Sequence, residues 1–320
     1  DLAGRFGLKP AAAIGYSLGE STALFAMRAW RQRDEMLDRL NRSSLFAHEL
    51  TGRPEVLRHI WKIPDGQPVA WVAGVAGCSA ASARAAIGRN KRAYVLIVNT
   101  ADECVIGGDR AVVEEIVAAI GCHWFPLQGV STMHCELARP VRKAYRELHR
   151  FDTTPPADVE FYSCGWGRAY LPDRETAADA IEAQALDTID FPRVIRAAYA
   201  AGVQTFVEIG PGNSCSRMIA KILKGRPHVA RSLAVAGQVP VTHFLRTIGQ
   251  LYAANVEVDL DILYGGEDAI ELHSNLDSAA SEKSVTVSVT GARFSAPVPA
   301  PGPGPAIQPG SRTYERSWMR

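Results

Sequence analysis

At 320 residues, with 47% hydrophobic content and a formal net charge of +1, the chain can build a large core and has no charge excess to hold nucleic acid or an anionic membrane. Its six cysteines are scattered, with no C-x-x-C pair and no metal-ligand spacing, which points to free buried thiols in a reducing, cytoplasmic setting. No apolar run reaches membrane-spanning length and no signal peptide opens the chain, which begins at Asp1 and reads as a piece of something longer.

In chain order, the first informative stretch is AAAIGYSLGE, residues 11–20. A small apolar approach ends in G-Y-S-L-G and passes at once into helix-like sequence, the pattern of a nucleophile elbow. Its two glycines are expected to let the backbone bend sharply and pass close to its neighbours, holding Ser17 out at a helix N-terminus where an oxyanion is favoured. The plainer alternative is a tight turn whose Ser17 only caps the helix. Apolar positions Leu24, Phe25, Met27, Met36, Leu37 and Leu40 then predict one long helix from Ser21 to Arg42.

From about Ala70 to Leu127 short alternating units read β-α-β-β-α-β, the order of a ferredoxin-like subdomain with four strands in one antiparallel sheet. Beyond it, helices are expected over Glu136 to Phe151, Thr176 to Leu186, Val194 to Ala201, Ser214 to Leu223 and Val241 to Asn255, with strands at FYSC and TFVEIG. That alternation implies an α/β fold whose parallel-type sheet is interrupted by the small subdomain and then resumed. The segments are then a large subdomain over 1–65 and 130–264, a small one over 66–129, and a Pro/Gly/Ala-rich linker or tail over 265–320.

Several separated segments resemble the malonyl-CoA:acyl carrier protein transacylases and the acyltransferase domains of type I polyketide and polyunsaturated fatty acid synthases. GYSLGE is similar to the family's G-H-S-x-G-E, with Ser17 as nucleophile. VSTMHCELARPV resembles the histidine segment and puts His134 in the base position; FVEIGPGNS resembles an E-V-G-P-G loop; and QALDTIDF puts Gln184 where a main-chain carbonyl orients the histidine. Arg42 falls 42 − 17 = 25 residues after the serine, the offset of an arginine that binds a substrate carboxylate. Together the matches run from Ala11 to Tyr264 and imply the acyltransferase fold, a hydrolase-like core with an inserted ferredoxin-like subdomain.

The resemblance implies a ping-pong transfer of a malonyl or related group from coenzyme A, through an acyl-Ser17 ester, to the phosphopantetheine thiol of an acyl carrier protein, beside neighbouring domains of a multifunctional synthase. In that reaction the backbone N–H of Leu18 would supply one oxyanion contact, and no metal or redox cofactor is needed. Chemistry agrees: a serine hydroxyl needs an adjacent base, and no carboxylate is obviously placed as a third member, which leaves a Ser-His dyad. His134 read alone is a core or helix-terminal histidine, and Arg42 a solvated helix residue with Arg39 as competitor; the functional reading makes Arg42 a buried guanidinium paired with a malonyl carboxylate.

The chain departs from the family in three ways. Tyr16 replaces a histidine that contacts substrate, Met133 precedes the catalytic histidine where its thioether would crowd an α-methyl group, and the family's opening strand and G-Q-G-S-Q loop have no counterpart. A thioesterase or serine hydrolase of the α/β-hydrolase type is the rival, needing a late histidine such as His228 or His243. A scaffold domain that only docks a carrier protein is the non-enzymatic one.

Overall fold

The computed structural model describes residues 1–50, 55–129 and 131–263. Contacts divide the chain into two units, Asp1–Lys283 and Ser284–Arg320, and every described residue belongs to the first. The tail expected over 265–320 lies outside the described residues.

Helix α1 (Leu2–Arg5) leads to strand β1 (Ala12–Ile14), helix α2 (Gly19–Ala26) and helix α3 (Arg33–Arg42). One long helix was expected here, and Trp30 explains the break. Its ring is buried against Phe25 and Phe151, with centroids at 5.2 and 5.1 Å, and its Nε1–H donates to Thr153 Oγ1 at 2.9 Å. To put it there the backbone leaves the helix through Arg28, at φ +59°. Burying an indole in an aromatic cluster outweighs the few helical hydrogen bonds given up. A π-helical turn at Leu45–Glu49 and helix α4 (Glu55–Trp61) follow.

The β-α-β-β-α-β pattern forms as strand β2 (Trp71–Ala76), helix α5 (Ala80–Ile87), strands β3 (Ala93–Val98) and β4 (Cys104–Asp109), helix α6 (Arg110–Ile120) and strand β5 (Trp124–Leu127). Local signals set the helix ends. Ser79 and Asp109 cap the two N-termini through their side chains, and Gly121 closes α6 in the left-handed conformation. The strands lie in the order β5-β2-β4-β3, each pair antiparallel. One face packs Val72 and Ile106 against Val113 and Ile116 of α6; the other sends Ala73, Leu96 and Val105 into the largest core cluster among the described residues.

A 3-10 turn at Glu136–Val141 gives way to helix α7 (Arg142–Leu148), where a single helix was expected; Pro140 lacks the amide that an α-helix would need there. Strands β6 (Glu160–Ser163) and β7 (Arg168–Tyr170), helix α8 (Arg174–Leu186), strand β8 (Ile189–Asp190), helix α9 (Phe191–Ala200), strand β9 (Thr205–Glu208), helix α10 (Ser214–Ile222), strand β10 (Val229–Ser232) and helix α11 (Pro240–Ala253) complete the order. Strand β1 pairs in parallel with β6, Ala13 opposite Phe161, so the sheet does resume across the insertion. Strand β7 adds to it antiparallel, while β9 and β10 form a separate parallel ladder.

The small sheet is not the four-stranded one expected. Strand β8, which follows α8, joins it in parallel at β3, with Ile97 opposite Ile189. Helix α9 starts directly after β8 and buries Phe191, Val194 and Ile195 in the cluster that the small sheet's second face shares. No helix of the described residues is long and apolar enough to cross a membrane.

Candidate active site

Ser17 stands between β1 and α2 in a left-handed backbone conformation, φ +54°. A β-carbon on Gly15 would overlap the backbone nitrogen of Glu20 and the carbonyl carbon of Gly19, so only glycine lets the turn close on the helix it enters. Gly19 behaves differently from expectation: nothing lies near its missing side chain, and its backbone is helical. The turn needs one glycine, not two.

His134 reaches Ser17 from the loop between β5 and the 3-10 turn and is also left-handed, φ +65°. The loop is tied down by Thr132, whose N–H donates to the Leu50 carbonyl at 3.0 Å. Left-handed backbone at a non-glycine residue costs on the order of 1–3 kcal/mol and persists only where the surroundings impose it. Here the surroundings are the last turn of α8. Its terminal carbonyls lack intrahelical partners; Gln184 O accepts from His134 Nδ1–H at 2.6 Å, and Ala185 O accepts the His134 main-chain N–H at 2.7 Å.

The carbonyl at Nδ1 decides the tautomer. A carbonyl only accepts, so the ring proton sits on Nδ1 and Nε2 is left with its lone pair. The Ser17 hydroxyl donates to that Nε2 at 2.8 Å. Burial holds the imidazole below its ordinary pKa, with the Gln184 carbonyl pulling the other way, so His134 is an unprotonated base at neutral pH. When it takes a proton, the negative end of the α8 dipole favours the imidazolium by up to about 2 kcal/mol, taking over part of a triad carboxylate's role. The opposite pole serves the other partner. Leu18 is the N-cap of α2, so its N–H belongs to the positive end of a helix, where an anion is stabilised.

The remaining expected residues are placed otherwise. The Arg42 side chain is 81% exposed and pairs with Asp38 one turn back, at 3.3 Å; it is not buried and does not touch Ser17 or His134. Being at the last position of α3, it projects beyond the packed part of the helix. Arg39 is committed elsewhere, stacked over Phe151 at 4.1 Å and donating to the carbonyl of Arg150 at 3.0 Å. Met133 is buried in a cluster with Leu45, Leu50, Ala138 and Leu186. Tyr16 is half-buried, edge-on to Phe191 at 5.2 Å, and its hydroxyl donates to Asn99 Oδ1 at 2.7 Å. Asn99 in turn donates to Glu103 Oε1 at 2.9 Å. Tyr16 therefore braces the elbow against the β3–β4 hairpin.

Sequence reasoning assigned no role to Glu20, although the motif contains it. Its buried carboxyl accepts the Cys164 N–H at 3.2 Å through one oxygen, while the other has no partner among the described residues. Burial lifts its pKa to about 8. The sequence offered only a carboxylate in the first turn of a helix; its burial comes from the tertiary contact with Cys164. His228 and His243 are bonded to the carbonyls of Arg226 and Ser232 and make no contact with Ser17.

Solved structures of like shape include the acyltransferase domain from the second module of the salinomycin polyketide synthase, with TM-score 0.65 and 21% identity, covering 84% of this chain and 60% of that one. The chain has the acyltransferase fold. The same fold relates it to a loading acyltransferase from the avermectin modular polyketide synthase, with TM-score 0.60, 19% identity and coverage of 77% and 74%. It also relates it to the malonyl-CoA:acyl carrier protein transacylase of Helicobacter pylori, with TM-score 0.59, 18% identity and coverage of 78% and 75%. The chain spans less than two thirds of the length of the salinomycin domain. No protein-family model and no curated protein matches it. Within this acyltransferase fold, Ser17 and His134 come from either side of the inserted small sheet, and the β1–β6 pairing brings the two halves of the core together.

Proposed function

We propose that the chain is an acyltransferase that moves a malonyl or related acyl group from coenzyme A to the phosphopantetheine thiol of an acyl carrier protein. The observation that carries this reading is the relay Ser17 Oγ–H to His134 Nε2 and Nδ1–H to the Gln184 carbonyl, in a chain with the acyltransferase fold. Ser17 Oγ attacks the thioester carbonyl while Nε2 takes its proton. The tetrahedral oxyanion is met by the Leu18 N–H. Collapse breaks the C–S bond, His134 returns the proton to the departing thiol, and an acyl-Ser17 ester remains. The carrier thiol then attacks that ester, with His134 again as base, and the serine hydroxyl is restored.

Selection of a dicarboxylic acyl group falls to Arg42. An exposed i,i+4 ion pair is worth only about 0.3–0.5 kcal/mol, so exchanging Asp38 for a substrate carboxylate costs little. As part of a synthase in the cytoplasm, the chain would work beside the domains that use the loaded carrier. The rival hydrolase differs in what attacks the ester. Incubation with malonyl-CoA followed by intact mass measurement, beside Ser17→Ala, is expected to show a malonyl-sized adduct on the parent chain alone and its transfer to a carrier thiol. No adduct, or release to water with none to the thiol, sinks the proposal.

A further inference from the structure

The relay to His134 uses only the main-chain carbonyl of Gln184. The side chain, in a residue that is 4% exposed, does something separate: Nε2 donates to the Ser17 carbonyl at 3.1 Å, while Oε1 accepts nothing among the described residues. A buried amide with one end unpaired is a destabilising choice, and an apolar side chain of the same length would avoid it. The paired end sits on the residue with the strained backbone. Ser17 O accepts twice, from the Glu20 N–H at 3.0 Å and from this amide. Rotation of Ser17 out of the left-handed region would swing its carbonyl and its Cα–Cβ bond together, so fixing the first fixes the direction from which Oγ reaches His134 Nε2.

We propose that the Gln184 side chain is a positioning residue that clamps Ser17 in its attack geometry, so that one residue's main chain aims the base and its side chain aims the nucleophile. The proposal rests on Ser17 being the nucleophile of the reading above. Both partners of the proton transfer are then referenced to the same last turn of α8, and the distance between Oγ and Nε2 is held without either strained residue supporting itself.

Gln184→Met keeps the length and the main-chain carbonyl but removes both the donor and the orphaned acceptor. Gln184→Glu keeps the shape and replaces the donor with an acceptor. Ser17 labelling by a fluorophosphonate measures nucleophilicity without any acyl donor; malonyl-ester formation, the pH dependence of labelling and the thermal midpoint are read beside it. For Gln184→Met the expected result is labelling slowed about 10- to 100-fold, the penalty of a misplaced reacting group, with the thermal midpoint unchanged or raised. The midpoint of its acid limb should stay in place, because His134 keeps its carbonyl. Gln184→Glu should label more slowly still, with the acid limb moved to higher pH by a buried carboxylate that favours the imidazolium. Labelling of Gln184→Met at the parent rate overturns the proposal, as does a loss of labelling that only tracks a loss of folded protein in both variants. Failure of the parent chain to label overturns it too. A parent chain that takes fluorophosphonate but no malonyl group ends the acyltransferase reading alone, and the ratio between Gln184→Met and parent still decides the clamp.

Discussion

The Ser17 turn and the Arg42 end of α3 lie 25 residues apart in sequence and are built in opposite ways. Ser17 is gripped from every side: Gly15 lets the helix close under it, Glu20 and Gln184 hold its carbonyl, and His134 holds its hydroxyl. Arg42 stands in solvent with one ion pair to its own helix. In the proposed reaction the first must present one atom to any thioester, whereas the second has only to find a carboxylate. Backbone-fixed geometry suits the one and a long, loosely held cation suits the other.

The sharpest way to break that contrast is at Gly15. Gly15→Ala forces a β-carbon into the Glu20 backbone, and we expect a loss of roughly 3–5 kcal/mol in stability, read by denaturant unfolding, together with loss of Ser17 labelling. Gly19→Ala, in open space on a helix, should instead stabilise by about 0.5–1 kcal/mol. If both alanines behave alike, the turn is not closed in the way described.

Next in size is Glu20, whose carboxyl is buried under the turn beside Cys164, Tyr145 and Tyr170, all uncharged near neutral pH. Its folded pKa of about 8 lies above the ordinary 4.5. Between those values the folded chain keeps a proton that the unfolded chain has released, so stability falls as pH rises across the window. Glu20→Gln removes that slope. Unfolding measured at pH 5 and pH 8 should show the variant gaining on the parent by on the order of a few kcal/mol at the higher pH. Parallel curves would mean that the carboxyl is already ionised in the folded state.

The smallest expected effect on stability is at Arg42. Arg42→Ala should change the unfolding free energy by less than about 0.5 kcal/mol, while the preference for malonyl-CoA over acetyl-CoA in ester formation collapses. An unchanged preference would assign acyl choice to another residue and remove the functional half of the comparison.

The same contrast explains how much of the molecule was legible in advance. The two split βα units of the small subdomain could be read because Ser79, Asp109 and Gly121 punctuate them locally and because apolar residues repeat at the spacing of each element. Ser17, His134 and Gln184, which the structure brings together, could be picked out because the short segments that carry them resemble those of a known family. The long helix over Ser21 to Arg42 was misjudged because Trp30 is excluded from it by Phe25 and Phe151, the latter more than a hundred residues further on. The burial of Met133 and the exposure of Arg42 were not legible for a related reason. Their exposure depends on what packs beside them, and neither Leu50 and Leu186 around the one nor the solvent around the other is visible from flanking sequence.

By itself the sequence singled out Ser17, His134 and Gln184 as candidates, the order in which they occur, and most of the local elements that hold them. The tertiary structure alone decided which of them meet. The left-handed turns at Ser17 and His134, the proton on Nδ1, the fifth strand β8 on the small sheet and the buried acid at Glu20 all arise from contacts between segments far apart in the chain. Local propensity runs over a few residues, but strain, tautomer and protonation are set by hydrogen bonds and burial that exist only once the chain has closed on itself.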